Sequence, residues 1–141
     1  MKISIIVPVY NSSSMLEELT QRINKTLSNL NFENNYELLF INDASKDNSW
    51  ETIVRLIEKF SFVKGINLTE NFGQHNAIMA GLNNCAGEYI ITMDDDLQHP
   101  PEFILNILDK LKTHDVCYTN YRNRKHLGWK KLVSNLNNII S

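Results

Sequence analysis

The chain has 141 residues, 43% of them hydrophobic and 21% charged, which is typical of one globular domain with a single sizeable core. The net charge of −2 is unevenly spread: all 16 acidic residues lie in residues 1–115, while residues 116–141 are basic only. We expect an anionic partner at the basic end, or else a solvated charged tail. No run approaches the roughly 20 apolar residues of a membrane span, and the apolar stretch before Pro8 is shorter than a signal peptide needs. We therefore expect a cytoplasmic protein.

The first predicted element is a strand. Residues 3–7 are β-branched and nearly all apolar, which is typical of a strand buried on both faces, and Pro8 is expected to end it. Residues 11–14 offer helix N-caps, and apolar residues recur at helical spacing over residues 15–30. The chain therefore opens with a strand followed by an amphipathic helix.

The same alternation then repeats. Residues 36–41 predict a second buried strand, and residues 42–49 form a polar loop rich in capping residues. A second helix is expected over residues 50–57. The third strand, residues 62–68, is expected to be broken at Gly65.

A turn, a third helix and a fourth strand come next. Residues 71–75 form the turn, and apolar residues at helical spacing follow over residues 77–82. Gly87 is expected to cap this helix in a left-handed conformation. Residues 89–93 are an apolar run that predicts a buried strand.

The last predicted elements are a helix over residues 101–111, opened by a proline in its first turn, and a fifth short strand over residues 115–119. Repeated strand–helix alternation predicts an α/β, Rossmann-like fold with a mostly parallel sheet and helices on both faces. Ligands of such sheets bind at the carboxyl ends of the strands. Polar stretches fall on that edge at residues 8–11, 42–45 and 94–98.

Three carboxylates directly follow the fourth predicted strand. In an extended chain Asp94 and Asp96 share one side, Gln98 can join them, and Asp95 points away. Like-charge repulsion makes this group costly without a cation. Two carboxylates and an amide oxygen are hard ligands that suit Mg²⁺ or Mn²⁺. The pattern predicts a divalent-cation site open to a phosphate substrate; the alternative is a solvated acidic cap.

These stretches resemble glycosyltransferase family 2, whose domains have the GT-A fold. The similarity lies in four motifs, in this order: IVPVYN, INDASKDNSW, NFGQHNAIMAGL and MDDDLQHPPE. The last is most similar to the synthases that transfer sugars to dolichyl or undecaprenyl phosphate. The resemblance implies an N-terminal portion of a longer protein, with residues 1–120 as the nucleotide-sugar-binding domain. Residues 121–141 would be a basic amphipathic segment that begins the acceptor region.

The resemblance also implies roles for individual residues. Nucleotide binding falls to Pro8, Tyr10, Asn11, Asp43, Asn71, Gly73, Asp94 and Asp95. The metal ligands would be Asp94, Asp96 and Gln98. The acceptor phosphate would be bound by Arg122, Lys130 and Ser134. The catalytic residues would be Asp96, Arg122 and Lys130. The chain departs from the family pattern at two positions: Ala44 stands where glycine is common, and Lys130 stands where arginine often sits.

The implied reaction is inverting transfer of a sugar from a UDP- or GDP-linked donor to a lipid phosphate. Mg²⁺ or Mn²⁺ would stabilise the leaving diphosphate, and Arg122 and Lys130 would position an already ionised acceptor. A glycan hydroxyl acceptor would instead need a base, for which Asp95 or a residue beyond Ser141 is the candidate. A nucleotide-binding module without turnover is the non-enzyme alternative.

The apolar residues of the tail fall on one helical stripe: Trp129, Leu132, Val133, Leu136, Ile139 and Ile140. A basic amphipathic helix suits a membrane interface, which would place residues 127–141 at the inner face of the membrane. The stripe itself favours ordinary core packing, or the cut face of a longer domain. Nucleic acid is not expected as a partner, and a homo-oligomer is left open.

Overall fold

The computed structural model describes residues 2–29 and 35–119, which divide into two units between Asn106 and Ile107. The strands are β1 (Ile3–Val9), β2 (Tyr36–Asn42), β3 (Val63–Asn67) and β4 (Tyr89–Thr92). The helices are α1 (Leu16–Ser28), α2 (Ser49–Lys59), α3 (Gln74–Asn84), a 3₁₀ turn (Pro101–Phe103) and α4 (Ile104–Leu111). Within the described ranges, no helix combines the length and apolarity needed to cross a bilayer.

The four strands form one parallel sheet in the order β3-β2-β1-β4. Every residue of β1 and β2 is buried, because both strands are central and helices cover the two faces of the sheet. The α/β, Rossmann-like prediction is therefore confirmed. Parallel pairing brings the carboxyl ends of all four strands to one edge.

Close packing at two glycines shows which helix covers which face. A Cβ on Gly65 would lie 2.7 Å from an isoleucine of α2, and a Cβ on Gly81 of α3 would lie 2.5 Å from Ile6. Gly65 pairs with Phe40 and Ile6 with Leu39, and neighbouring residues of a strand face opposite ways. Hence α2 and α3 cover opposite faces. The predicted break at Gly65 is wrong, since β3 runs through it and the glycine admits α2.

Pro8 does not end β1, which continues to Val9. The Ile6 carbonyl accepts the Met93 N–H, so the polar backbone groups of Ile6 face β4. Pro8 lies two residues further along the same strand, and its peptide nitrogen therefore faces β4 as well. Because β4 ends at Thr92, no strand there requires the N–H that proline lacks. The Val9 carbonyl instead serves the β2 side, where it accepts the Asp43 N–H.

The predicted helix caps are also wrong. No side chain of residues 11–14 caps α1, whose N-cap residue is Met15, because those residues bond to the neighbouring loop. Helix α3 ends at Asn84, and its C-cap residue is Cys85 with a φ of −83°, so Gly87 provides no left-handed cap. A Cβ on Gly87 would lie 2.5 Å from the Ser4 nitrogen, and the glycine therefore permits a close approach of two backbones.

The predicted fifth strand is absent from the described residues. Residues 115–119 have no regular structure, and Val116 and Tyr118 are 65% and 92% exposed. A short apolar run is a weak strand signal, and this one pairs with no strand of the described sheet.

A buried carboxylate ties the strands together on the α3 face. Glu37 is 3% exposed and accepts hydrogen bonds from the Ser4 hydroxyl (2.5 Å) and the Ala86 N–H (2.6 Å), with Lys64 Nζ at 2.6 Å. Burial acts to raise the pKa of Glu37, but the donors Lys64, Ser4 and Ala86 outweigh it and the pKa is lowered. Ionised Glu37 thus holds the segment after α3 on the sheet.

Candidate functional site

A cavity of about 420 Å³ opens at the carboxyl edge of the sheet. It is lined by Pro8, Val9, Tyr10, Asp43, Asn71, Gly73, Gln74, Asp94, Asp95 and Asp96. Every residue predicted to bind nucleotide lines it, except Asn11. The order of the strands explains this convergence, because β1 lies between β2 and β4 and their loops meet above it.

Asp43 is buried directly after β2, at 3% exposure. Its Oδ1 accepts the Phe72 N–H at 2.8 Å, and its Oδ2 accepts the Gly73 N–H at 2.9 Å. The carboxylate therefore holds the loop between β3 and α3. The sequence did not reveal this role, since the partners lie 29 and 30 residues away.

Asn11 joins the loops that follow β1 and β2. Its N–H donates to Ser45 Oγ at 3.0 Å, and its Oδ1 accepts the Lys46 N–H at 2.7 Å. Next to it, the Ser13 N–H donates to Asp47 Oδ2 at 3.1 Å. Burial opposes ionisation of Asp47, but hydrogen bonds from the Ser49 and Ser13 groups lower its pKa. Asn11 thus shapes the cavity rim without lining it.

Three non-glycine residues of the described chain have a positive φ: Asn11 (56°), Ala44 (52°) and Leu97 (56°). They lie in the loops that follow β1, β2 and β4, which form this edge. A Cβ makes the left-handed conformation costly, and such strain is concentrated at functional sites.

Replacing Ala44 by glycine is expected to raise the free energy of unfolding by about 0.5–1 kcal/mol. Glycine avoids the left-handed penalty of roughly 1–2 kcal/mol, partly offset by its greater freedom in the unfolded chain. Urea unfolding measures the change. Ala80→Gly, the same replacement inside α3, is the matched control and should lower stability by about 1 kcal/mol. A loss of stability in Ala44→Gly would contradict the strain.

The acidic loop brings Asp94 and Asp96 together, as predicted, and adds His99. One ligand atom from each of the three lies within 4.8 Å of the others, and His99 Nδ1 is 3.4 Å from Asp94 Oδ2. The Gln98 N–H donates to Asp96 Oδ1 at 3.0 Å, and its side chain as a ligand stays a prediction. The spacing of His99, three residues after Asp96, is the signal that could have identified it.

This group fits a divalent cation. Ligand atoms about 2.1 Å from one ion lie within roughly 4.2 Å of each other, so a side-chain adjustment of about half an ångström would close the site. Two carboxylates and an imidazole suit Mn²⁺ better than Mg²⁺, which prefers oxygen alone. Asp94, Asp96 and His99 are therefore the residues that could hold the ion.

Asp95 is turned toward the end of β1. Its Oδ2 accepts the Tyr10 N–H at 3.2 Å, a contact between residues 85 positions apart. Burial raises the pKa of the Asp95 carboxyl, and hydrogen bonds from Ser12 and Tyr10 act against that shift. Asp95 thus fastens the acidic loop to the β1 loop while it lines the cavity.

The residues predicted at the acceptor lie outside the described part of the chain. They are Arg122, Lys130 and Ser134, together with the amphipathic segment 127–141. Their roles in acceptor binding and catalysis stay predictions, as does the domain boundary after residue 120.

Solved structures share this fold. S. aureus TarS matches with a TM-score of 0.66 and 21% identity, covering 90% of this chain and 38% of that chain. The complex of TarS with UDP-GlcNAc matches with a TM-score of 0.65 and 22% identity, covering 88% of this chain and 36% of that chain. A third match is the mannosyltransferase PcManGT from Pyrobaculum calidifontis in complex with GDP-Man and Mn²⁺. Its TM-score is 0.62 at 22% identity, and the match covers 86% of this chain and 36% of that chain. The chain thus spans less than two fifths of each of them.

The sequence model described as "Glycosyl transferase family 2" matches residues 4–140, which is nearly the whole sequence. The match includes the strands that build the cavity and all of the loops that line it. The chain therefore belongs to glycosyl transferase family 2.

Proposed function

We propose that this chain binds the sugar-nucleotide donor of a metal-dependent, inverting glycosyltransferase. The observation that carries the proposal is the cavity at the carboxyl edge. Tyr10 and Asp43 line it together with Asp94 and Asp96, the two carboxylates that group with His99. The cavity volume suits a small ligand. Complexes of similar proteins with UDP-GlcNAc and with GDP-Man and Mn²⁺ support a sugar nucleotide as that ligand.

The cation group and the residues that line the cavity contribute differently to donor binding. Asp94, Asp96 and His99 hold the cation, which when bound neutralises charge on the leaving diphosphate. Tyr10 is 45% exposed and lines the cavity, so its ring can contact the face of a base. Asp43 also lines the cavity and fixes the loop between β3 and α3 through the Phe72 and Gly73 N–H groups. These parts bind and orient the donor before transfer.

The acceptor in this proposal is a polyprenyl phosphate. The acid-free stretch 116–141 supports it, since five basic residues there can hold a phosphate. Arg122, Lys130 and Ser134 would meet that phosphate at the inner membrane face. An ionised phosphate attacks without a base, and direct displacement inverts the anomeric centre.

A binding module without turnover is the second candidate. The chain covers 38% or less of each similar structure. This coverage favours the binding module, because the remainder of those proteins could supply the acceptor site. Donor binding is common to both candidates, and only transfer separates them.

Isothermal calorimetry tests donor binding with UDP-GlcNAc and GDP-Man, each in Mn²⁺, in Mg²⁺ and in EDTA. We expect one donor to bind in Mn²⁺ and to lose most of its affinity in EDTA. The matching nucleoside monophosphate, which lacks the second phosphate, should bind weakly and without metal dependence. Failure of both donors to bind in any condition would contradict the proposal.

Transfer is then measured with radiolabelled donor and undecaprenyl phosphate in detergent. Lipid-linked product supports the enzyme, and binding without product supports the module. Transfer to an added glycan, with none to the lipid, would contradict the phosphate acceptor.

A further inference from the structure

Gln74 joins the nucleoside side of the cavity to the cation group. It is the first residue of α3 and lines the cavity. Its Nε2 donates to Asp94 Oδ1 at 2.9 Å, while Asp94 Oδ2 lies 3.4 Å from His99 Nδ1. Asp94 Oδ1 therefore accepts a hydrogen bond from Gln74, while Oδ2 is the oxygen that lies next to His99 of the cation group.

This hydrogen bond restricts the Asp94 carboxylate. The Asp94 side chain is 37% exposed, so without a fixed donor it could rotate and present either oxygen to an ion. A donor on one oxygen sets the plane of the carboxylate and leaves the other for metal binding. Hydrogen bonds to ionised acceptors are also stronger than neutral ones.

Gln74 is in turn held from the end of β2. The N-cap residue of α3 is Gly73, with φ 86° and ψ 158°, and Asp43 accepts its N–H and that of Phe72. Asp43 is 3% exposed, so its position is set by the core. The start of α3, and Gln74 with it, is therefore anchored to β2.

We propose that Gln74 is a positioning residue for the cation site: it orients Asp94 toward the ion shared with Asp96 and His99, and Asp43 sets its position. The inference rests on the proposed function, because it assumes that this group binds the donor's cation. It goes beyond that function by coupling the wall of the nucleoside pocket to metal affinity.

The test is Gln74→Met, which keeps the side-chain length and helix propensity but removes the N–H donor. We expect the Kd for Mn²⁺ alone, measured by paramagnetic resonance of the free ion, to rise about tenfold. The thermal midpoint should not change. Gln21→Met is the matched control, since Gln21 donates to Glu17 on α1, and it should leave the Kd unchanged.

Asp43→Asn provides a second measurement. An asparagine accepts one of the two backbone N–H groups and turns a donor toward the other, so α3 begins in a looser position. We expect Mn²⁺ affinity to fall although Asp43 is not among the cation-binding residues. Unchanged Mn²⁺ affinity in both variants would overturn the inference and leave the proposed function standing. Absence of Mn²⁺ binding by the unmodified chain would overturn both.

Discussion

Asp96→Asn is expected to abolish the cation dependence of sugar-nucleotide binding. The variant keeps the shape of the side chain but loses its charge, and Asp96 supplies one of the two carboxylates in the group with His99. Loss of an outer-shell partner already costs 10- to 100-fold in metal affinity, so loss of a ligand should cost at least about 100-fold. The donor affinity of the variant, measured by calorimetry in Mn²⁺, should then equal the donor affinity of the unmodified chain in EDTA.

The control for this variant is Asp109→Asn. Asp109 is an exposed carboxylate on α4 that pairs with Lys112 at 3.0 Å, and it is not among the residues that line the cavity. Its affinity for the donor should equal that of the unmodified chain. Full, cation-dependent affinity in Asp96→Asn would remove Asp96 from the site.

Glu37→Ala is expected to lower the free energy of unfolding by about 3 kcal/mol. It leaves the fully buried Ser4 hydroxyl without its acceptor, which costs about 1–3 kcal/mol. It also removes the acceptor of the Ala86 N–H and the packing of the buried side chain. Lys64 adds little, because its side chain is 54% exposed and water can solvate it. Urea unfolding at pH 7 measures the change.

The pH dependence of stability separates the charge of Glu37 from its shape. Because the folded pKa of Glu37 lies below its ordinary value of 4.5, its ionisation stabilises the fold above that value. The contribution is lost as the pH falls through the lower, folded pKa. The stability difference between the unmodified chain and Glu37→Gln should therefore be constant above about pH 5.5 and shrink below 4.5.

Glu58→Gln, an exposed position on α2, is the control for charge alone. It should change the free energy of unfolding only slightly, because its side chain is exposed to water. If the Glu37→Gln difference stayed flat down to pH 3, the stabilising role of the ionised carboxylate would be refuted.

Most of the fold could be predicted because the central strands have a distinctive pattern. All residues of β1 and β2 are buried, so both strands appear in the sequence as mostly apolar runs, and the helices between them force parallel pairing. The predictions for Pro8, Gly65 and Gly87 were wrong for a shared reason. Each residue was interpreted from its local propensity, whereas its role depends on a neighbouring strand or helix.

The sequence by itself determined the order of strands and helices, and hence that Asp43, Asp94 and Asp96 lie at one edge of a parallel sheet. Only the tertiary structure decided which atoms meet there. Asp95 reaches the Tyr10 N–H, and Gln74 reaches Asp94, across 85 and 20 residues of sequence. Such contacts depend on how loops from different strands pack together, and no periodicity along the chain encodes that packing.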